Sequence, residues 1–300
     1  MNNNNVLLFN YNQKVKMQEN MDTVTESDIE FTPLIFTRYL YPKELVMHSL
    51  FLSMLDKKTD EALFWGYELY YSGFTDNVYE YLFQIYETIY SSVNSDKLTA
   101  YVKELYENQT ETNLGIFILT LATKPYNINI FIEEYFNIKC SPTSINKNND
   151  KILKIKTFDV TPYRTKTIEE SDEESRGYKI LGKACKYPIR TECKELFKTS
   201  PHDFLDCFRK FWEYYAFECP LWKQRILDNG GKKCDKTKKV SFDTEKNAEE
   251  FYNKHDLEPD EQSLEIQYGC VGNPEVKQLS IKDFAKQYGG TIILKIKRQK

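Results

Sequence analysis

Seven cysteines and three histidines carry the most reactive chemistry in this 300-residue sequence, and their spacing decides what can be expected of them. A structural zinc site presents thiolates or imidazoles two to four residues apart, so that one turn aims both at a tetrahedral ion. No such pair occurs. Cys140, Cys185, Cys193, Cys207, Cys219, Cys234 and Cys270 are nowhere closer than eight residues. Only tertiary contacts could join Cys185 to Cys193, or Cys207 to Cys219. The expected state is free, buried thiols in a reducing compartment, with no metal and no cofactor. Nucleophilic catalysis needs a base beside the nucleophile and a group that orients the base. His48 falls within an apolar helical stretch, where a hydrogen-bonded core imidazole is expected. His202 stands at a helix start and His255 in an acidic segment. Neither has a nucleophile at a telling distance, so the reading is of a non-enzymatic protein.

Phosphate cradles need a glycine-rich turn ahead of a helix. Gly230 and Gly231 come nearest, yet they follow a predicted helix and lead into Lys232, Lys233, Lys236, Lys238 and Lys239, read as an exposed basic loop. Those lysines, with Lys297 and Arg298 near the C-terminus, are the candidate nucleic-acid contacts. A net charge of −4 and a pI near 5.7 argue against a chain whose main task is neutralising phosphates. The carboxylates Glu249, Glu250, Asp256, Glu258, Asp260 and Glu261 read as a solvated face or a docking patch.

Aromatic residues are the remaining resource, with 22 Tyr and 19 Phe. The run Phe64, Trp65, Gly66, Tyr67, Glu68, Leu69, Tyr70, Tyr71 sets more rings on one helix than an interior is expected to hide. Some phenols should therefore reach a groove, where tyrosine favours contact. Trp65, Tyr67, Tyr70, Tyr71, Tyr79 and Tyr86 are the candidate protein-binding residues.

The elements that must position these side chains follow from apolar periodicity. Helices are predicted over 42–56, 60–72, 76–91, 96–108, 113–123 and 129–136. Within 78–90 two stripes, Val78, Leu82, Ile85, Ile89 and Tyr79, Phe83, Tyr86, Tyr90, make a helix that must be covered on both sides. By contrast, Leu98, Tyr101, Val102, Leu105 and Tyr106 form a single stripe, leaving that helix one wet face. Pro42 suits a first turn, Ser95 an N-cap, Thr59 and Thr75 or Asp76 further caps, and Gly73 a left-handed C-terminal position. Farther on, Ser200, Pro201, His202 and Asp203 read as the start of a helix striped by Phe204, Phe208, Phe211 and Tyr215. A turn or two is expected over 220–227. Strand-like or mixed character is expected around Val240 and Phe242, around Leu264, Ile266, Tyr268, Ile281 and Phe284, and around Ile292, Ile293, Leu294 and Ile296.

The expected fold is mainly α: an N-terminal helical bundle or short solenoid-like helical repeat over 31–140, and a C-terminal α-rich lobe with minor β strands over 178–300. Residues 1–30 read as a mobile arm and 141–177 as a polar and acidic connection. No apolar run is long enough to span a bilayer, and the N-terminus lacks the order of a secretory leader, so an intracellular protein is expected.

At two places the chain resembles uncharacterised proteins of nucleocytoplasmic large DNA viruses, the giant viruses. One is Glu61-Ala62-Leu63-Phe64-Trp65-Gly66-Tyr67-Glu68-Leu69-Tyr70-Tyr71-Ser72-Gly73-Phe74. The other is Pro220-Leu221-Trp222-Lys223-Gln224-Arg225 with, downstream, Glu249-Glu250-Phe251-Tyr252 and Leu257-Glu258-Pro259-Asp260-Glu261-Gln262. The resemblance implies a setting, namely host cytoplasm, viral factory or virion, and brings no activity or site residues with it. The functional expectation is a scaffold or adaptor that holds another viral or host protein on its aromatic helices. The alternative is an accessory factor in viral DNA or RNA transactions, touching nucleic acid through the lysines of 232–239 and the C-terminal tail.

Overall fold

A computed structural model describes residues 33–142, 155, 157–166 and 177–293; the expected arm at 1–30, most of the polar connection, and Lys297 and Arg298 lie outside them. The protein is mainly helical, with thirteen α-helices and one two-stranded sheet among the described residues. None of these helices is long and apolar enough to cross a membrane.

The first six helices are α1 (Lys43–Leu55), α2 (Thr59–Tyr71), α3 (Thr75–Ile85), α4 (Asp96–Glu107), α5 (Glu111–Thr123) and α6 (Asn129–Phe136), close to the predicted positions. α2 lies between α1 and α5, and nine of its residues are buried. Gly66 explains how closely it can be approached: a Cβ there would meet Ile118 Cδ1 at 2.2 Å. Both stripes of 78–90 are covered, with Phe83 alone half-buried. The helix does not run straight through, however. Tyr86–Tyr90 forms a π turn, closed by the Ser91 N–H donating to the Tyr86 carbonyl at 2.9 Å. The wider turn leaves the Ile89 carbonyl to accept from the Asn127 N–H (2.7 Å) and that of Tyr90 to accept from Asn94 Nδ2 (2.9 Å). α4 keeps one buried face, as its single stripe requires.

The N-caps divide into two groups. Ser95 caps α4 by accepting from the Leu98 N–H, whereas Thr59 and Thr75 are first helical residues, and Lys58 and Phe74 stand at their caps without a side-chain bond. Pro42 is likewise a cap, its ψ of 119° extended rather than helical. Gly73 takes φ +92°, the left-handed region foreseen for it.

α7 (Tyr178–Ala184), α8 (Phe204–Lys210), α9 (Trp212–Ala216) and α10 (Pro220–Asp228) begin the second half. α8 starts later than expected. Asp203, not Ser200, is the cap, accepting from the Asp206 N–H at 3.0 Å. The predicted basic loop is instead a hairpin: β1 (Gly231–Cys234) pairs antiparallel with β2 (Lys239–Phe242), Gly231 opposite Phe242 and Cys234 opposite Lys239. α11 (Glu245–His255), α12 (Leu264–Val271) and α13 (Ile281–Tyr288) follow, capped by Thr244, Ser263 and Ser280. The strand-like reading of Leu264, Ile266 and Tyr268 is therefore corrected. Their alternation is not the buried set, since α12 buries Gln267, Cys270 and Val271 while Leu264 is exposed. α13 buries Phe284, Ala285 and Tyr288, a helical spacing that Ile281 and Phe284 alone did not reveal. Beyond it, Ile292 bridges to Cys140 as extended backbone.

One apolar cluster runs through both halves. Its joint is the segment 33–42, where Phe36 packs edge-on against Phe208 and Tyr215, the Phe36 N–H donates to the Tyr215 carbonyl (3.1 Å) and the Thr37 carbonyl accepts from Trp222 Nε1 (3.1 Å).

Candidate functional site

The aromatic run on α2 organises the most elaborate array of side chains in the protein. Tyr67 sits at its centre, with the ring of Tyr163 stacked at 4.5 Å, Tyr71 at 5.8 Å and Phe158 at 6.0 Å, all within 25° of parallel. Tyr163 and Phe158 belong to the segment 157–166, which lies across α2 with a short 3₁₀ turn at Thr161–Tyr163. Gly115 on α5 makes room for it: a Cβ there would stand 2.6 Å from both the Phe158 ring and the Tyr67 hydroxyl.

Polar contacts hold the same arrangement. The Tyr67 hydroxyl donates to the Glu111 carbonyl (2.7 Å) and the Tyr71 hydroxyl to the Glu111 carboxylate (2.5 Å). Arg164 lies 3.6 Å from the other oxygen of that carboxylate. Arg38 donates through Nε to Glu68 at 2.8 Å, the pair being 2% and 0% exposed, and reaches Thr165 Oγ1 with its terminal nitrogen at 3.0 Å. Its guanidinium also covers the rings of Tyr39 and Tyr71, at 4.6 and 5.0 Å. Glu68 accepts a second bond from the Tyr39 N–H, and the Tyr39 hydroxyl accepts from the Lys166 N–H. Burial, then the neighbouring Glu111, pushes the Tyr71 phenol up to about 12. Burial raises Tyr39 and, more strongly, Tyr67. These phenols stay protonated at neutral pH and act as donors and π faces.

The predicted protein-binding residues thus divide. Trp65, Tyr67, Tyr79 and Tyr86 are fully buried and belong to the core, not to a surface. Trp65 packs edge-on against Tyr41 at 5.0 Å, Tyr79 donates to the Thr110 carbonyl and the Tyr86 hydroxyl bonds Thr99 Oγ1. The interior hides more rings than expected because segments distant in sequence, 33–42 and 157–166, close over α2. Only Tyr70 and Tyr71 remain partly exposed.

The lysines divide similarly. Lys232 pairs with Asp243 (2.6 Å), and Lys233 with Glu218 (2.8 Å) while lying over the Tyr214 ring. Lys236, Lys238 and Lys239 are exposed at the hairpin tip or beside it, Lys238 with φ +52°.

The histidines occupy separate places. His48 is buried 4.9 Å from the Phe197 ring, His202 packs beside Phe204 and Tyr215, and His255 beside Phe251. Burial lowers all three, His48 to about 3 and His255 to about 4. Among the described residues no group of three or more His, Cys, Asp or Glu side chains is placed to hold a metal ion. Neither cysteine pair named from the sequence meets in a hydrogen bond; Cys185 and Cys270 do, with Sγ atoms 3.6 Å apart. Eighty-five residues separate them, and no local signal joins them.

Comparison with known proteins returns no matching family model, curated protein or solved structure.

Proposed function

We propose that the protein is a non-enzymatic, protein-binding scaffold whose recognition surface is the tyrosine-bearing face of α2 together with the N-terminal turn of α5. The observation that carries this reading is the seating of 157–166. Two rings stack on Tyr67, an arginine meets Glu111, and a backbone N–H meets the Tyr39 hydroxyl. Aromatic faces, one carboxylate and phenol oxygens at fixed positions are the means by which proteins hold extended peptides. Tyr70 and Tyr71 carry that chemistry outward, beside the seated segment. The resemblance to proteins of large DNA viruses supplies the setting in which a viral or host partner is to be sought.

A photoreactive amino acid introduced at Tyr70, and separately at Lys103 on the wet face of α4, tests the reading in infected cells. A partner crosslinked from position 70, absent from position 103 and lost when Tyr71→Ala is added, is expected. Identical products from both positions, or none from position 70, would sink it.

The exposed tip of the hairpin favours a second reading, in which Lys236, Lys238 and Lys239 contact nucleic acid. It requires binding that weakens steeply with salt. Unchanged binding after all three become alanine rules it out.

A further inference from the structure

The pair Cys185 and Cys270 belongs neither to the rings stacked on Tyr67 nor to the hairpin. Cys185 is the C-cap residue of α7, its N–H donating to the Leu181 carbonyl, and is partly open to solvent. Cys270 lies in α12 and is fully buried. Their Sγ atoms are 3.6 Å apart and share a hydrogen bond, whereas a disulfide brings them to about 2.05 Å, so closure asks for movement of about 1.5 Å. The backbone around them is already tied. The Ile189 N–H donates to the Gly269 carbonyl (2.7 Å), and the Tyr41 hydroxyl to the Tyr187 carbonyl (3.1 Å), so the loop after Cys185 touches both α12 and the start of the first bundle. The other five cysteines have no such sulfur neighbour among the described contacts.

We propose that Cys185 and Cys270 form an oxidative modification site, in which a peroxide converts the thiol pair to a disulfide that fastens α7 to α12. Cys185, the sulfur that solvent reaches, attacks the peroxide O–O bond. It becomes a sulfenic acid, and the peroxide is reduced to water or an alcohol. The Cys270 thiol then attacks the Cys185 sulfur. The S–O bond breaks, the S–S bond forms, and the Cys270 proton leaves with the hydroxyl as water. Each sulfur gives up one hydrogen, and the peroxide takes up the two electrons. The hydrogen bond with the Cys185 sulfur, then burial, raises the Cys270 thiol well above its usual range. Closed to solvent and 3.6 Å from the Cys185 sulfur, Cys270 is placed as the resolving thiol, its proton passing to the leaving hydroxyl as the S–O bond breaks.

The test treats the full-length protein with hydrogen peroxide, then unfolds it, blocks free thiols and maps the peptides. Expected are loss of the mass of two hydrogens, a crosslink between the Cys185 and Cys270 peptides, and a rise in Tm on the order of 5–10 °C that dithiothreitol reverses. Cys270→Ser, checked for its native circular dichroism, should accumulate a sulfenic acid at Cys185 that dimedone traps, because no resolving thiol remains. Cys193→Ser should behave as the unaltered protein does. Seven titratable thiols after treatment, a crosslink that uses another cysteine, or a dimedone adduct in Cys270→Ser that is equally abundant in the unaltered protein would each overturn the proposal.

Discussion

At the scale of single residues, the buried Arg38–Glu68 pair is the most consequential feature of the tyrosine face. Both charges are removed from water, and each carries further partners: Thr165 for Arg38, and the Tyr39 N–H for Glu68. Removing one member leaves the other uncompensated, at a cost of about 3–5 kcal/mol, whereas removing both is much cheaper than the sum. Glu68→Ala should therefore lower unfolding stability by about 3–5 kcal/mol in urea titrations, and Arg38→Ala combined with Glu68→Ala should recover part of it. Strictly additive losses would mean that the two charges do not interact. Gly66 offers a second test. Alanine there gains about 1 kcal/mol of helix propensity, but its Cβ collides with the end of Ile118, and overpacking costs about 1–3 kcal/mol. The expected result is a net loss for Gly66→Ala that is relieved in combination with Ile118→Val, which removes the colliding methyl. A single substitution more stable than the starting protein would contradict this packing.

Elements are where the tyrosine face is assembled. α2 supplies Tyr67 and Tyr71, α5 supplies Glu111 and the Gly115 gap, and 157–166 supplies the covering rings. Gly115→Ala drives a methyl against both Phe158 and the Tyr67 hydroxyl. It should unseat 157–166 while leaving α2 in place. Faster proteolysis within this segment, with unchanged helical circular dichroism, is the expected signature; unaltered cleavage would mean that the segment is held elsewhere. On the hairpin, Lys233→Ala should cost less than about 1 kcal/mol, because its pair with Glu218 lies at the surface.

The whole molecule is governed by the continuity of its core. Trp65 reports on the first half, and Trp212 and Trp222 on the second, where they meet edge-on and Trp212 stacks on Phe251. With Phe36 and Thr37 bonded to Tyr215 and Trp222, Trp65→Phe and the double variant Trp212→Phe, Trp222→Phe should each show a fluorescence transition that coincides with loss of helix. Two separated transitions would mean that the halves unfold independently. Acid adds another global test. Burial holds His48 near 3, against an ordinary value of 6.5. Between those values the unfolded chain binds a proton that the folded chain does not, so stability falls as pH drops. From pH 6.5 to 5 His48 alone contributes about 2 kcal/mol, a share that His48→Leu should remove, while the smaller slopes from His202 and His255 remain. At the other end, Tyr71 and Tyr126, raised to about 12 by burial, make the folded state the one that keeps its protons above pH 10, so stability declines again as pH rises through that range.

Sequence alone determined the helical class of this protein and the places of its first six helices, because a periodic apolar stripe is a local property written within a dozen residues. Ser95 and Gly73 were legible for the same reason: each acts within its own turn. What covers an apolar face is not local. From the sequence Trp65 and Tyr67 are surface candidates, because nothing near them announces that 33–42 and 157–166 fold back over α2. The lysines of 232–239 looked free because Asp243 and Glu218 approach Lys232 and Lys233 only once the strands pair and α9 packs beside them. Cys185 met Cys270, rather than Cys193, because α7 and α12 are brought together by contacts of high sequence separation. Such contacts follow from the collapse of the whole chain, and tertiary structure alone decided them.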